Sequence, residues 1–478
     1  MQQIHFLGIA GVGVSALAQV ALARGAHVSG SDPHADPQTN PAVRRLREGG
    51  ATICREHRAE NLPEGVELVV ASAAIGEDNP EIRAARQRGV RVISRAEFLG
   101  ELMAAHKGVK IAVAGTHGKT TTTAMIGVLL QHAGLDPTVF VGGEVPQLGG
   151  NVRIGSATGP FVAEACEAYD SFLYLKPDIA VLTNIEADHL DHYGSFDRIL
   201  DSFRRFLVNT THLESGLIVA CGEDAGVQQL LATLPDVFSM PYFLDEKTSA
   251  RLQAIAPATN VRLGRTASFD WITSELRHVP IQLSVPGRHN VLNALAAAIV
   301  GHVLDVPDET VAAGLAEFRG VGRRQEILGE VPLENGSVLV MDDYAHHPTE
   351  IRATLEALRA AYPERRLVAI FQPHLYSRTR DFLPQFAEAL ATADALIVTD
   401  IYAAREAPME GVRAADIVNQ ATKSNPNAPA LFVSEKRDIP ARLAALVRPG
   451  DLAVFLGAGD IRAQGEAFVE LMRGRAEK

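Results

Sequence analysis

The segment AGTHGKTTTT, residues 114–123, constrains the fold of this chain more than any other part of its sequence. It follows the apolar run KIAVA and leads into TAMIGVLLQHAG, which has helical periodicity. A strand, a glycine turn, a GK[ST] sequence and a helix are typical of a phosphate-binding loop, in which backbone N–H groups attract phosphate. Lys119 would then reach the β- and γ-phosphates, and the Thr120 hydroxyl would contact Mg²⁺.

The predicted loop is shorter than the general pattern G-x-x-x-x-G-K-[ST]. That pattern requires a glycine five residues before Gly118, and Val113 stands there. The glycine that is available is Gly115. The alternative is a polar turn that contains GKT by chance, but the flanking strand and helix favour a phosphate loop.

Two later segments place candidate metal ligands where predicted strands end. Glu164 follows the apolar run PFVA, and His189 lies in TNIEADHLDHYG, directly after another strand. Magnesium prefers oxygen ligands, so a carboxylate suits it and a histidine is an unusual addition. A histidine in a turn is more often a surface residue, but the acidic setting behind a phosphate loop favours a ligand.

The alternation of strands and helices predicts three α/β domains. A new unit opens near Val109, and the glycine-containing phrase FRGVGRRQEIL marks a second change of pattern. The predicted domains are residues 1–107, 108–322 and 323–478. Many strands are unbroken runs of Val, Ile, Leu and Ala, which suits parallel strands covered by helices on both faces.

Composition narrows the class of protein. The net charge is −12 and no basic stripe occurs, which argues against nucleic acid as a partner. The three cysteines are far apart and form no CxxC motif, which fits a reducing cytoplasm. No run of 18 apolar residues and no basic leader is present, so we expect a cytoplasmic protein with no membrane contact.

The first glycine loop, GIAGVG at residues 8–13, has two interpretations. It follows a strand and opens a helix, and Asp32 ends the next strand. This resembles the fingerprint of a site for NAD, as in a dehydrogenase. The underlying physics is only that of a diphosphate at a helix N-terminus, and a UDP-sugar also carries a diphosphate.

Taken together, the motifs resemble the Mur ligase family of bacterial cell-wall synthesis. These ATP-dependent enzymes join an amino acid to a UDP-linked muramic acid precursor, and their phosphate loop has the shorter form seen here. The resemblance covers essentially the whole chain. Its segments, in order, are GIAGVGVSA, GSD, GTHGKTTTT, TNIEADHLDHYG, GRHNVLNALAA, GVGRRQE, DDYAHHPTEI, FQPHLYSRT and GAGDI.

The resemblance implies a fold and an activity. The fold would be an N-terminal Rossmann-like domain that binds a UDP-sugar, a central P-loop ATPase domain and a C-terminal Rossmann-like domain. The activity would be the addition of L-alanine to the lactyl carboxylate of UDP-N-acetylmuramate through an acyl phosphate, the first peptide step of peptidoglycan precursor synthesis. ATP with Mg²⁺ or Mn²⁺ would be required, and the protein would be a monomer or a homodimer.

Two other activities fit part of the sequence. The first is the attachment of the tripeptide L-Ala-γ-D-Glu-meso-diaminopimelate to the same UDP-sugar, as in the recycling members of the family. The second is an NAD-dependent dehydrogenase with an incidental GKT. The segments DDYAHHP and FQPHLYSRT favour alanine over the tripeptide, and a dehydrogenase leaves GKT, the Glu164 and His189 pair and Arg324 unexplained.

The resemblance also implies site residues around ATP. The phosphates would be bound by Gly115, Thr116, His117, Gly118, Lys119, Thr120 and Thr121. The metal ligands would be Thr120, Glu164 and His189. The adenine would lie near His289, Asn290 and Asn293. Two residues beyond the second predicted boundary would approach the nucleotide. Arg324 would contact the γ-phosphate, and Asp343 would lie near the nucleotide.

Further residues are implied for the other substrates. The UDP-sugar would be bound by Gly8, Gly11, Gly13, Asp32 and Ser72. The reacting centre would be approached by Tyr344 and His347. The muramate carboxylate and the incoming alanine would face His374 and Arg378. The residues with an expected catalytic role are Lys119, His189, Arg324, His347 and His374.

The chain departs from the usual family motifs at several positions. Ala10 stands at the first glycine of a frequent glycine pair, and Cys166 stands where an aspartate is frequent, two residues after Glu164. In the late motif, Leu375 and Ser377 replace a frequent arginine and threonine. No role can be carried over to Cys166 or Leu375.

Overall fold

The computed structural model describes residues 2–210, 216–234, 237–244, 256–404 and 406–476. The chain divides into two compact units. The first contains Met1–Thr259, Asp270–Ile281 and Leu292–Phe318, and the second contains Asn260–Phe269, Gln282–Val291 and Arg319–Lys478. The domain boundaries at 107/108 and 322/323 stay predictions, and the first of them lies inside the first compact unit.

The first sheet has five parallel strands in the order β3-β2-β1-β4-β5. Its strands are β1 (Gln3–Leu7), β2 (His27–Ser31), β3 (Thr52–Cys54), β4 (Leu68–Ala71) and β5 (Arg91–Ser94). Its helices are Val12–Ala23, Pro41–Glu48, Pro80–Gln87 and Arg95–Ala104, with a 3₁₀ turn at Ala59–Asn61. Asn40 and Asn79 cap the two helices that begin with proline, because each side-chain oxygen accepts two backbone N–H groups of the first turn.

The second sheet is built around β6, the strand that precedes the phosphate loop. Its strands are β6 (Lys110–Ala114), β7 (Thr138–Val145), β8 (Gly150–Arg153), β9 (Phe161–Glu164), β10 (Ile179–Leu182), β11 (Leu217–Cys221) and β12 (Ser239–Phe243). They lie in the order β12-β11-β10-β6-β9-β7-β8, with only β8 antiparallel to its neighbour. β13 (Ala256–Leu263) pairs in parallel with β12, and β14 (Ala267–Ile272) and β15 (His278–Gln282) follow.

Six helices and two 3₁₀ segments are described between residues 119 and 317. They are Lys119–His132, Leu190–Tyr193, Phe196–Asn209, Ala225–Leu231, Arg288–Val303 and Asp308–Glu317, with 3₁₀ segments at Pro146–Leu148 and Ala168–Tyr174. The carboxyl ends of β9, β6 and β10 are neighbours because these strands are parallel and adjacent. Loops that follow them therefore meet at one edge of the sheet, where ligands bind in open α/β sheets.

The third sheet lies in the second unit and has the order β16-β17-β21-β18-β19-β20. Its strands are β16 (Glu326–Leu333), β17 (Gly336–Asp343), β18 (Leu367–Phe371), β19 (Ala395–Val398), β20 (Ala430–Phe432) and β21 (Leu452–Leu456), and β16 alone is antiparallel to its neighbour. Its helices are Pro348–Ala361, Tyr376–Asp381, Leu383–Leu390, Ala415–Ser424, Ile439–Leu446 and Arg462–Ala476, with a 3₁₀ turn at Lys436–Asp438.

Strand β18 tests the prediction that unbroken apolar runs are covered on both faces. Leu367, Ala369 and Phe371 pack in one hydrophobic cluster, while Val368 and Ile370 pack in another. Alternate side chains of a strand point to opposite faces, so both faces of β18 are buried. The prediction is confirmed for this strand.

One hydrophobic cluster joins the first sheet to the second. It includes Phe98 of the helix Arg95–Ala104, Phe161 of β9 and Phe172. Gly100 allows the close approach, because a Cβ atom there would lie 2.5 Å from the carbonyl oxygen of Tyr174. Regions that the sequence assigns to separate domains therefore share one core in the first unit.

In the part of the chain that the structure describes, every helix is too short or too polar to cross a membrane.

Phe172 offers a test of the shared core. Its ring is fully buried, with its centroid 4.9 Å from that of Phe206 and 5.0 Å from that of Phe203. We expect Phe172→Ala to lower the free energy of unfolding by about 3–5 kcal/mol, because a large cavity remains. Phe238→Ala removes a ring that is 62% exposed and should cost less than about 0.5 kcal/mol. Urea denaturation of both variants measures the difference, and equal losses would contradict the shared core.

Candidate active site

The first glycine loop follows β1 and begins the helix Val12–Ala23. Gly8 has φ +76°, and its N–H donates to the Ser31 carbonyl at 2.9 Å. Gly11 is the N-cap residue, and no side chain caps this helix end. A Cβ atom on Gly8 would lie 3.0 Å from the Cβ of Ser72, so Ser72 stands against the loop where β4 ends. Sequence reasoning placed Gly8 and Ser72 together, and the structure does bring them together.

Asp32 supports the first glycine loop by hydrogen-bonding to its backbone. Its carboxylate accepts the Ala10 N–H at 3.0 Å and the His34 N–H at 2.8 Å, and the residue is buried. The Asn40 side-chain amide donates to the Ala10 carbonyl at 3.1 Å, so Ala10 is held on both sides. The structure therefore shows Asp32 as a support for the loop backbone, while the expected contact with the UDP-sugar stays a prediction.

Asn151 also reaches the first glycine loop, and sequence reasoning missed it. It lies on β8, is buried, and donates from Nδ2 to the Val12 carbonyl at 2.6 Å. Its Oδ1 atom is buried without a hydrogen-bond partner in the described ranges. The short motif GGN at the start of β8 was the available signal, but only the fold places it beside a loop more than a hundred residues earlier in the chain.

The phosphate loop has the geometry that its sequence predicts. Gly115 has φ +139° and Gly118 has φ +81°, conformations that side chains with a Cβ atom rarely adopt. Gly118 is the N-cap of the helix Lys119–His132. The Asn184 side chain, after β10, accepts the His117 N–H at 2.8 Å and donates to the His117 carbonyl at 3.0 Å. The Asn184 side chain therefore fixes the loop backbone at His117.

Lys119 is enclosed by oxygen atoms. Its Nζ donates to the carbonyls of Gly115 at 2.5 Å and Thr116 at 3.0 Å, and it lies 2.8 Å from Glu167 Oε2. Burial opposes its charge, but Glu167 and the other nearby anionic groups outweigh it and raise the pKa of Lys119. The side chain is thus a fully charged ammonium that already has an anionic partner.

Glu164 meets Thr120 at the end of β9. Its Oε1 accepts the Thr120 hydroxyl at 3.0 Å, and its Oε2 accepts the Gly142 N–H at 2.8 Å. Two oxygen donors of the kind that Mg²⁺ prefers therefore lie together at the helix N-terminus. The predicted metal ligands Thr120 and Glu164 are brought together as the sequence suggested.

His189 lies near the same cluster, in a left-handed backbone conformation with φ +52°. Its Nε2 atom is 3.9 Å from Asp188 Oδ2 and 4.0 Å from Glu167 Oε1. Glu167 therefore stands between Lys119 and His189. Sequence reasoning missed Glu167, although its place three residues after Glu164 was a usable signal.

Cys166 lies between the two carboxylates in the chain. Burial, followed by the charge of Glu167, raises the pKa of the Cys166 thiol. A protonated thiol is a poor ligand for a hard cation. The position at which the family often has an aspartate therefore contributes no anionic ligand here.

Asn293 supports the phosphate loop within the first unit. Its Oδ1 accepts the Thr122 hydroxyl at 3.1 Å, and a Cβ atom on Gly118 would lie 2.8 Å from the same oxygen. Thr121 follows in the first turn of the helix Lys119–His132. The structure places Asn293 against the helix that begins with Lys119, and its predicted contact with adenine remains untested.

In the second unit, burial shifts the pKa values of His289 and Asp343 away from their usual values. Burial, followed by the charge of Arg324, lowers the pKa of His289 to about 4, so its ring is neutral at pH 7. Burial raises the pKa of Asp343 to about 6, although Arg324 opposes the shift. The Asp343 carboxylate accepts two backbone N–H groups, those of Gln325 at 3.0 Å and Ala345 at 2.8 Å.

The remaining predicted residues of this unit occupy defined positions. Asn290 donates to the Pro286 carbonyl at 2.7 Å at the start of its helix. His347 is the N-cap of the helix Pro348–Ala361, and its Nδ1 accepts the Thr349 N–H at 3.4 Å. The Tyr344 ring lies 5.4 Å from the Arg324 guanidinium carbon.

His374 and Arg378 form a pair after β18. Arg378 Nη1 lies 3.2 Å from His374 Nδ1, and Arg378 is buried. The His374 ring stacks on Tyr402 with centroids 5.7 Å apart. Leu375 has φ +70°, so the chain turns sharply between the two predicted residues. The structure brings His374 and Arg378 together, as the late motif predicted.

Three family models match the chain in succession. They are the Mur ligase family, catalytic domain at residues 3–107, the Mur ligase middle domain at 113–301, and the Mur ligase, glutamate ligase domain at 323–459. Their order confirms the predicted three-domain α/β class.

Curated relatives match over nearly the full length. The UDP-N-acetylmuramate–L-alanine ligase of Trichlorobacter lovleyi is 45% identical over 98% of this chain and 99% of its own. The ligase of the same name from Geobacter sulfurreducens is 44% identical over 98% of this chain and 97% of its own.

Two solved structures of related ligases are similar to this chain over nearly its full length. The UDP-N-acetylmuramate–alanine ligase of Thermotoga maritima has a TM-score of 0.81 and 32% identity, with 100% of both chains covered. A murein peptide ligase from Psychrobacter arcticus has a TM-score of 0.72 and 27% identity, with 99% of both chains covered. On these matches, and on the phosphate loop with its carboxylates, the chain belongs to the Mur ligase family.

Proposed function

We propose that this chain is an ATP-dependent ligase that adds L-alanine to the lactyl carboxylate of UDP-N-acetylmuramate. The observation that carries the proposal is the meeting of Lys119 and Thr120 with the carboxylates of Glu167 and Glu164 at one helix N-terminus. The names of the relatives, two of which are alanine ligases at 44–45% identity, support the choice of substrates.

At the phosphate loop, we assign the polyphosphate of ATP to residues 115–121. Backbone N–H groups and the helix N-terminus would bind the phosphate oxygens, and Lys119 would neutralise the β- and γ-phosphates. Thr120, Glu164 and His189 would hold a divalent cation. Mg²⁺ or Mn²⁺, when bound there, neutralises charge on the transferring phosphoryl group.

The first glycine loop would bind the diphosphate of the UDP-sugar. The N-terminus of the helix Val12–Ala23 has no side-chain cap, so its N–H groups can bind an anion. Gly8, Gly11 and Gly13 would let the sugar nucleotide approach the backbone, with Ser72 beside them. Asp32 would act by supporting the loop, in keeping with its hydrogen bond to Ala10.

In the second unit, Arg324 would stabilise the γ-phosphate, since an arginine fork suits phosphate oxygens. His289 and Asn290 would lie at the adenine, where a neutral imidazole avoids adding charge. Asp343 would face the nucleotide, and Tyr344 and His347 would lie near the reacting centre. The paired side chains of His374 and Arg378 would face the carboxylate and the incoming alanine.

The reaction would proceed in two steps. The lactyl carboxylate attacks the γ-phosphorus, ADP leaves, and an acyl phosphate forms. The amine of alanine then attacks the acyl carbon, phosphate leaves, and the ammonium proton passes to a base. Enclosure by the surrounding loops would exclude water, which would otherwise hydrolyse the acyl phosphate.

A cytoplasmic location follows from the substrates. ATP and nucleotide-linked sugars are cytoplasmic compounds, and Cys54, Cys166 and Cys221 are all free thiols. Reduced cysteines persist in that compartment.

Phosphate release from ATP by the purified protein tests the proposed function. UDP-N-acetylmuramate is supplied with L-alanine in one assay and with L-Ala-γ-D-Glu-meso-diaminopimelate in another. We expect release with alanine and none above background with the tripeptide. Phosphate release with the tripeptide alone would replace the proposed function with the recycling activity. The absence of release in both assays would refute the proposed function.

Lys119→Ala tests the phosphate loop. The change removes the ammonium at the β- and γ-phosphates, so we expect kcat to fall by about 100-fold or more, as when one preorganised donor of a transition state is lost. Lys107→Ala removes an exposed lysine and should leave kcat unchanged. Wild-type turnover in the Lys119 variant would exclude the loop as the phosphate site.

Glu167→Gln tests whether this carboxylate competes with phosphate for Lys119. Removing its charge frees the ammonium, so ADP in EDTA should bind about three- to tenfold more tightly, a change of roughly 0.6–1.4 kcal/mol. Titration with a fluorescent ADP analogue gives the affinity. Glu317→Gln is the matched control, because Glu317 pairs with His132 on the surface. Weaker binding in the Glu167 variant would show that the carboxylate helps to hold nucleotide.

A further inference from the structure

The segment Gly320–Gln325, which enters the third sheet, has an unusual backbone. Arg323 has φ +61° and Gln325 has φ +50°, although neither is glycine. Side chains with a Cβ atom are strained in this region, and such conformations persist only where surrounding contacts hold them. Arg324, the residue assigned to the γ-phosphate, lies between these two strained residues.

The Arg323 side chain holds the segment to two other loops. Its Nε donates to Asp342 Oδ2 at 3.1 Å, its Nη1 to the Gly459 carbonyl at 3.3 Å, and its Nη2 to the Gly457 carbonyl at 2.8 Å. Its guanidinium also lies over the Tyr344 ring, with 4.9 Å between the guanidinium carbon and the ring centroid. Each of the three guanidinium nitrogens therefore has a hydrogen-bond partner, and one face of the group is covered by an aromatic ring.

The partners of Arg323 give the motif GAGDI a physical role. Gly457 has φ +151°, and the close approach of Gln372 to Gly459 leaves no room for a Cβ atom. The two glycines let the loop after β21 turn its carbonyl oxygens toward one point. Sequence reasoning singled out this motif but gave it no function.

Backbone hydrogen bonds complete the restraint on either side of Arg324. The Tyr344 N–H donates to the Arg323 carbonyl at 2.7 Å, and the Gln325 N–H donates to Asp343 Oδ2 at 3.0 Å. The Arg324 N–H itself donates to the Val321 carbonyl at 3.0 Å. The backbone at Arg324 is thus fixed through both of its neighbours.

We propose that Arg323 is a positioning residue, which fixes the backbone so that Arg324 can present its guanidinium to the γ-phosphate. The inference rests on the proposed function. Only an arginine fork can serve an aspartate and two carbonyls that lie in different directions, since lysine offers a single ammonium at the end of a flexible chain. Each of the three guanidinium nitrogens of Arg323 is engaged within the second unit, so we assign the residue to positioning and not to ligand binding.

Kinetics of Arg323→Lys test the proposal. We expect kcat for phosphate release to fall by about 10- to 100-fold, as for a misplaced catalytic group, while the Kd of ATP changes less than about twofold. Arg319→Lys is the matched control, because Arg319 lies in the same stretch of chain and hydrogen-bonds to Ser284 on the surface. That control should keep its kcat, and wild-type kcat in Arg323→Lys would overturn the proposal.

A double-mutant cycle separates positioning from a general effect on folding. In an Arg324→Lys background, adding Arg323→Lys should change kcat by less than about twofold, because residues that act as one unit are not additive. Single-turnover measurements at high enzyme concentration provide the sensitivity. A full additional loss of kcat in the double variant would show that Arg323 acts independently of Arg324.

Asp342→Asn provides a second route if Arg323→Lys does not fold. It removes the charge that faces Arg323 Nε and leaves both arginines in place. We expect a smaller loss of kcat that disappears in the Arg324→Lys background, and persistence of that loss would overturn the proposal.

Phosphate release by the wild-type protein with alanine is measured first. Its absence would refute the proposed function, whereas an active wild type with unaffected variants would refute only the role of Arg323.

Discussion

The ion pair between Lys119 and Glu167 is the interaction on which the rest of the site depends. Both side chains are withdrawn from solvent, so each charge requires a partner at all times. Two glycines with positive φ shape the loop around the ammonium, and the parallel strands β9 and β10 bring their following loops to either side. In the proposed function, a phosphate group bound in this loop would replace one anionic partner of Lys119 with another.

Carboxylates that support backbone recur through both units. Asp32 accepts the Ala10 N–H, Glu164 accepts the Gly142 N–H, and Asp343 accepts the Gln325 N–H. Each stands at or just beyond the end of a strand and accepts a hydrogen bond from the backbone of another segment. That segment is a loop at Ala10 and Gln325, and strand β7 at Gly142. Acidic residues at strand ends were predicted as ligands because of their chemistry. In the structure they also preorganise the loops, and this gives the glycine-rich segments defined shapes.

How much could be predicted depended on distance along the chain. The phosphate loop and the pair His374 and Arg378 lie in short motifs whose neighbours in sequence are neighbours in space. Glu164 was predicted from its residue type at a strand end, although its partner Thr120 lies 44 residues earlier in the chain. Glu167, Asn151 and Arg323 were missed, since their partners lie far away in the chain and only the packing of strands brings them near. The sequence did not indicate that regions on both sides of the predicted boundary at 107/108 share the hydrophobic core around Phe172. Apolar patterning reveals that a face is buried but not which surface covers it.

The sequence by itself determined the general alternation of strands and helices, the two glycine loops and the residue types at the strand ends. These follow from local rules, because backbone preference and the period of apolar residues act over a few positions. Tertiary structure alone decided which charges meet. Lys119 faces Glu167, and Arg323 faces Asp342 with the carbonyls of Gly457 and Gly459. Burial makes an unpartnered charge costly, so these pairings depend on the packed chain as a whole.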